Sequence, residues 1–243
     1  MKKTCTCIIP FYNEEIGILG VLEKLIQIDL FDKIVVVNDG SHDSSPSVVE
    51  TFIKNNKDKD ISLVSYNKNK GKSHAVAEGL KTVTTEYVFL FDADLTNIKI
   101  NEVTSLIESL YNNPEIDMGI LRRIHAKRYI KLLYRELILS GQRMLRADDL
   151  RTIFKEKFER YQLEVAINTY MQNHKKIVVR YPFSGNNSFK PEKWGFWNGW
   201  KRDFFMYKDI LGYQGTVNFL KHVFLFNPYN IEKYSKTKKY SKK

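Results

Sequence analysis

The chain has 243 residues, 43% of them hydrophobic, which is enough for one generous domain or one domain with an appended lobe and excludes a disordered tail as a whole. Its formal net charge of +11 points to an anionic partner, whether nucleotide phosphates, nucleic acid or an acidic membrane surface, without choosing among them. No stretch approaches the roughly 20 uncharged apolar residues of a spanning helix, and the short apolar run that stops at Pro10 is expected to be neither a signal peptide nor an anchor. Cys5 and Cys7 are the only cysteines. Their spacing on a strand is expected to place them on opposite faces, which disfavours a disulfide and suits a reducing cytosol.

Taken in order, Thr4 to Pro10 reads as a first strand that ends in the polar turn FYNEE. Asn13 or Glu14 then starts a helix whose apolar face is Ile16, Leu19, Leu22, Leu25 and Ile26. Lys33 to Val37 is a second, β-branched strand, closing on Asn38, Asp39 and Gly40, and Ser44 or Ser45 with Pro46 opens a second helix. Ile61 to Tyr66 makes a third strand, followed by a basic loop broken by Gly71 and a helix over Ser73 to Leu80. Glu86 to Leu95, EYVFLFDADL, is a buried strand that delivers Asp92 and Asp94 at its carboxyl end.

Repeated strand, polar loop and helix argue for a parallel sheet with helices on its faces, so all four loops open on one edge, where ligands of such sheets bind. That convergence would gather Tyr12, Asn13, Glu14 and Glu15, then Asp39 and Asp43, then Lys70 and Lys72, then Asp92 and Asp94. Hard carboxylate oxygens without neighbouring Cys or His suit Mg²⁺ or Mn²⁺ held between protein and a diphosphate, provided the chain turns as it leaves the fourth strand. Each element also has a plain reading: Asn13, Glu14, Asp92 and Asp94 as helix caps, Asp39 with Gly40 as an ordinary turn, Lys70 and Lys72 as a solvated loop. Their joint placement favours a site.

Four segments in this order, IIPFYNEE, VVNDGSHDSS, NKGKSHAVAEGL and FLFDADL, resemble the inverting glycosyltransferases of family two with the GT-A fold. Within that family the chain is most similar to the polyprenyl-phosphate sugar transferases of the dolichyl-phosphate mannose synthase type. The resemblance implies an α/β fold with a Rossmann-like, mostly parallel central sheet and helices on both faces. It further implies that Pro10, Tyr12, Glu14 and Asp39 contact the nucleoside of a UDP- or GDP-sugar donor. Gly71 and Lys72 would then lie near that donor, and Asp92 and Asp94 would be the metal-binding pair, with Asp94 catalytic.

In the second half, Asn101 to Leu110 is an amphipathic helix and Ile116 to Leu121 a strand. From Leu121 to Phe154, Arg122, Arg123, Lys127, Arg128, Lys131, Arg135, Arg143 and Arg146 alternate with Leu, Ile and Tyr at helical spacing. That pattern reads as a basic amphipathic surface for anionic lipid, a lipid-acceptor phosphate or RNA backbone, or as a solvated helix face. SGQRMLR at Ser140 to Arg146 and ERYQLEVAIN at Glu159 to Asn168 resemble the family's acceptor side. There Arg143 would meet substrate and Glu164, with Glu159 as runner-up, would be the general base or, for a phosphate acceptor, a positioning group. Ile177 to Tyr181 is expected to be an edge strand.

The organisation expected is a GT-A domain over 1–190, divided at 100 into nucleotide and acceptor halves, a basic and aromatic helical extension over 191–232, and a disordered Lys-rich tail over 233–243. Aromatic and basic residues mixed from Trp194 to Phe226 suit a membrane interface or packing on the catalytic domain. The expected partners are thus a nucleoside-diphosphate sugar, a polyprenyl-phosphate or other cell-envelope glycan acceptor and the inner face of the cell membrane, with no nucleic acid. A sugar nucleotidyltransferase, or a non-catalytic basic protein binding membrane or RNA on the same fold, are the rival readings.

Overall fold

The computed structural model describes residues 3–124, 140–156, 162–187, 226–231 and 234. Strands β1 (Cys5–Phe11), β2 (Lys33–Asp39), β3 (Ile61–Tyr66) and β4 (Tyr87–Leu90) are separated by helices α1 (Ile18–Leu25), α2 (Ser45–Asn55) and α3 (Lys72–Leu80). There follow β5 (Leu95–Thr96), α4 (Ile100–Asn112), β6 (Met118–Arg123), β7 (Arg143–Arg146), α5 (Ala147–Ile153), α6 (Gln162–Asn173), β8 (Val178–Phe183), β9 (Asn186–Asn187) and β10 (Tyr229–Asn230). The main sheet runs β10-β8-β6-β7-β4-β1-β2-β3, parallel throughout except that β7 is antiparallel to both neighbours.

Alternation along the strands divides the apolar residues between two layers. Ile34, Val36 and Phe89 join Leu22 of α1, Phe52 of α2 and Leu106 of α4 on one face. Val35, Val37 and Val88 join Val76 of α3, Leu150 of α5 and Ile167 of α6 on the other. Each fully buried Val, Leu or Ile contributes about 1.5–3 kcal/mol relative to exposure. Both faces of β1, β2 and β4 are therefore committed to core, and polar groups are left only at the strand ends.

Several expectations are corrected here. Cys5 and Cys7 are free and buried in the same layer, because residues two apart on a strand share a face. The fourth strand stops at Leu90, and the turn comes at Ala93–Asp94 before β5 pairs with β9 in a separate two-stranded sheet. β8 is not an edge strand, since β10 pairs with its outer side. The basic stretch from Leu121 to Phe154 is not one helix: it begins in strand β6 and ends in β7 followed by α5, while 125–139, with Lys127, Arg128, Lys131 and Arg135, lie outside the described residues. Glu159, the aromatic extension from 191 to 225 and the tail from 235 lie outside them as well. Among the described residues no helix is long and apolar enough to cross a membrane.

Candidate active site

The loops after β1 and β2 are stitched to each other. Asn13 takes a positive φ of 52°, which presents its side chain to the neighbouring loop. Its backbone N–H donates to Ser41 Oγ (3.0 Å), and its Oδ1 accepts from the His42 N–H (2.8 Å). Ser44 Oγ donates to Glu15 Oε2 (2.6 Å), and the Glu15 N–H donates to Asp43 Oδ2 (3.2 Å). Tyr12 is exposed on this rim, its ring edge-on to His42 at 6.5 Å, and Pro10 is half-buried in β1 opposite Val37.

The loop after β3 is clasped by Asp39. Its Oδ1 accepts from the Tyr66 hydroxyl (2.7 Å) and the Lys70 N–H (2.8 Å), and its Oδ2 from the Gly71 N–H (2.8 Å). Gly71 can present that N–H because its φ of +92° is closed to side-chain-bearing residues, and Gly40 (φ +71°) lies so close to the Lys68–Asn69 backbone that a Cβ would come within 2.7 Å of it. Burial and the bond to Asp39 push the Tyr66 hydroxyl well above its ordinary pKa, so it stays a donor. The carboxylate predicted to touch the nucleoside is thus first a latch on the neighbouring loop.

Gly71 leads directly into α3, whose first residue is Lys72. Its ammonium lies 2.6 Å from Asp92 Oδ1 and 2.7 Å from Glu164 Oε1. Burial alone would depress the lysine, but the two carboxylates outweigh it and hold Lys72 above its usual range. Gln142 Nε2 donates to Asp92 Oδ2 at 2.5 Å. Glu164 lies in the first turn of α6 and is buried.

Asp94 is 9% exposed in the turn after β4. The amino end of α1 abuts that turn: a Cβ on Gly17 would lie 2.9 Å from the Ala93 carbonyl oxygen and 3.4 Å from Asp94 Cα. Among the described residues no group of three or more Asp, Glu, His or Cys gathers as a self-sufficient metal site. The hard oxygens of Asp92 and Asp94, before and within the turn that follows β4, fit Mg²⁺ or Mn²⁺ that takes one or two carboxylates and completes its shell with substrate and water.

Arg143 is not where a substrate contact was expected. It is fully buried. Its Nε donates to the Ser140 carbonyl (2.9 Å), which Nη2 also meets, and its Nη1 donates to Asn168 Oδ1 (2.8 Å) and the Glu164 carbonyl (3.3 Å). Burial lowers its pKa to about 10, against the attraction of Glu164 and Asp92. The guanidinium ties the start of α6 to the turn before β7, so its work is to place Glu164.

The description "Glycosyl transferase family 2" matches residues 6–178. The chain belongs to that family. Over 106 residues it is 33% identical to a poly-beta-1,6-N-acetyl-D-glucosamine synthase of Staphylococcus epidermidis, an alignment covering 43% of this chain and 25% of that protein. Over 125 residues it is 29% identical to a dolichyl-phosphate beta-glucosyltransferase of Dictyostelium discoideum, covering 47% of this chain and 37% of that one. The chain thus spans well under half the length of either relative.

Among solved structures, glucosyl-3-phosphoglycerate synthase from Mycobacterium tuberculosis, in complex with Mn²⁺, UDP-glucose and phosphoglyceric acid, superimposes with a TM-score of 0.62 at 19% identity, over 79% of this chain and 74% of that one. A mannosyltransferase from Pyrobaculum calidifontis, in complex with GDP-mannose and Mn²⁺, gives 0.60 at 19% identity, over 75% and 57%. At such identity the likeness establishes the GT-A fold alone.

In this family-two chain the sequence reading missed Tyr66, Gln142 and Asn168. Tyr66 stands at the carboxyl end of a strand predicted with the right bounds, so its place on the site edge was legible even though its bond to Asp39 was not. Asn168 follows Glu164 by one helical turn and therefore shares its face. Nothing in the sequence marks Gln142.

Proposed function

We propose that this chain transfers a glycosyl group from a nucleoside-diphosphate sugar to an acceptor, with inversion at the anomeric carbon. The observation that carries this reading is the junction at Lys72, where a lysine delivered by the nucleotide-side loop bridges Asp92 from the segment after β4 and Glu164 from the acceptor-side helix. Tyr12, Pro10, Glu14 and Asp39 line the nucleoside end, with Asp39 also fixing the loop that carries Gly71 and Lys72. Asp94, with Asp92, would hold Mg²⁺ or Mn²⁺, which when bound neutralises charge developing on the leaving diphosphate. Lys72 adds a fixed positive charge beside that same position.

In this reading Glu164 faces the incoming acceptor, on the side away from the leaving group. For a hydroxyl acceptor its carboxylate takes the proton as the new glycosidic bond forms. For a phosphate acceptor, already ionised near neutral pH, it positions Lys72 and the sugar. The acceptor class we assign is a lipid phosphate or cell-envelope glycan at an anionic membrane surface. The relative named for dolichyl phosphate supports this, as do the arginine-rich and tryptophan-rich stretches of the sequence.

The test is product analysis. Purified protein with a panel of UDP- and GDP-sugars, Mn²⁺ or Mg²⁺ and polyprenyl phosphate should release nucleoside diphosphate and form a glycolipid of inverted configuration. Release of pyrophosphate would instead make it a nucleotidyltransferase, and no turnover with any pair would overturn the reading. Flotation with anionic vesicles at low salt checks the membrane surface separately: protein that stays out of the vesicle fraction counts against it.

A further inference from the structure

The Asp92 carboxylate is held from three sides by groups of different origin. Lys72 meets Oδ1, Gln142 meets Oδ2, and Gly141 closes the third side so tightly that a Cβ there would lie 2.5 Å from Oδ1 and 2.7 Å from Cγ. Real Cβ atoms do not approach that closely, so any side chain at 141 displaces the carboxylate or the turn that carries it.

Gln142 is itself anchored. It is 2% exposed, its backbone carbonyl accepts from the Leu121 N–H (3.0 Å), and its Oε1 lies 3.2 Å from the Ser140 hydroxyl. That hydroxyl also faces the Leu121 carbonyl at 2.9 Å, so its single proton is shared between two acceptors. The arrangement sets the amide the right way round: oxygen toward the hydroxyl, NH₂ toward the carboxylate. A glutamine can do both at once. A glutamate of the same size would set like charge against Asp92.

We propose that Gln142, seated by Gly141, is a positioning residue that fixes Asp92 so that Lys72 is kept in register between the nucleotide side and Glu164. This rests on the glycosyl-transfer reading of the same site. Gln142 acts through Asp92 and Lys72, without touching the reacting atoms. Losing its NH₂ frees the Asp92 carboxylate to rotate, and Lys72 then loses one of the two anchors that set its distance from Glu164. The metal-independent part of nucleotide binding, which rests on Tyr12, Asp39 and the Gly71 loop, is left in place.

Two variants and two readouts test this. In Gln142→Met, which keeps the volume but neither donates nor accepts, kcat should fall about tenfold, the worth of one hydrogen bond to a charged group. In Gln142→Glu it should fall about 10²-fold, since repulsion is added to the loss. In both, the dissociation constant for nucleoside diphosphate without metal should stay within about twofold, and Tm close to wild type. The second readout needs no activity: with ¹³C-lysine incorporated biosynthetically, and the Lys72 Cε–Hε resonance assigned by its loss in Lys72→Arg, that resonance should move in both variants.

An unmoved Lys72 signal in both variants, or a Gln142→Met enzyme with wild-type kcat, overturns the positioning role. So does a loss shared equally between metal-free nucleotide binding and kcat. A moved signal in a protein whose wild type transfers no sugar would uphold the role of Gln142 and overturn the glycosyl-transfer reading alone.

Discussion

The nucleotide half and the acceptor half of the site are built on opposite plans. Around β1 to β4, loops at the edge of the sheet are fastened largely through backbone N–H groups, as when Lys70 and Gly71 both donate to Asp39. Around β7 and α6, fastening is done by a side chain inside the core, with Arg143 reaching Ser140, Glu164 and Asn168. Two cations of the same formal charge thus have different tasks. Lys72 faces two carboxylates at a half-open site, while Arg143 faces carbonyl and amide oxygens in a closed one. Substitutions in the first region should therefore damage chemistry before stability, and those in the second stability before chemistry.

The largest effect that separates the two plans is expected at Arg143. Arg143→Met removes a buried cation and strands the oxygens it served, which should cost about 3–5 kcal/mol of unfolding free energy in urea titration. Arg143→Lys should rescue little, because a point ammonium cannot reproduce a planar fork that reaches three residues. Wild-type stability in Arg143→Met, with only acceptor KM raised, would make Arg143 a substrate contact and erase the contrast.

Asp94→Ala is the counterpart in the first region. Loss of an oxygen that holds the metal and diphosphate should lower kcat/KM by about 10²-fold or more. Unfolding free energy should fall by about 1 kcal/mol, well short of the loss at Arg143, since the residue lies in a turn at the edge of the sheet. Full activity of purified Asp94→Ala in the presence of Mn²⁺ would remove the metal assignment.

Gly71→Ala crosses between the two kinds of effect. A side chain at φ +92° is strained by about 1–3 kcal/mol, and relieving that strain withdraws the N–H from Asp39 and swings Lys72 off its carboxylates. Weaker nucleoside diphosphate binding by calorimetry, alongside a lower Tm, is the expected result. Unchanged binding would show that the clasp does not shape the donor pocket.

The same contrast decides what the sequence could reveal. The first half was legible because buried parallel strands are continuous apolar runs and their loops fall at one edge by topology; Ile61 to Tyr66 was placed to the residue. The second half misled because β7 is only Arg143–Arg146, a strand too short for its period to show, set among basic residues spaced like a helix face. Arginine in such a run reads as surface. Only the partners supplied by Ser140, Glu164 and Asn168 make its burial tolerable, and those partners are brought together by the fold. Glu164 was named through the family resemblance of its segment, whereas its engagement with Lys72 joins residues 92 positions apart.

The smallest effect is expected at Tyr66, where the two halves of the argument can be weighed against each other most finely. Its hydroxyl donates to Asp39 at 2.7 Å, while the ring carries Lys70 on its face at 5.5 Å and packs edge-on to His74 at 5.4 Å. Tyr66→Phe keeps the ring contacts and deletes one of three hydrogen bonds to the carboxylate, a loss worth about 1 kcal/mol. The backbone donors of Lys70 and Gly71 remain, so the loop should hold and Tm should fall only slightly. If Asp39 is chiefly a latch, nucleoside diphosphate affinity should follow that small loss, about fivefold at most. If Asp39 instead depends on Tyr66 to aim its carboxylate at the base, affinity should fall further than stability does, and calorimetry beside urea titration on the same variant separates the two.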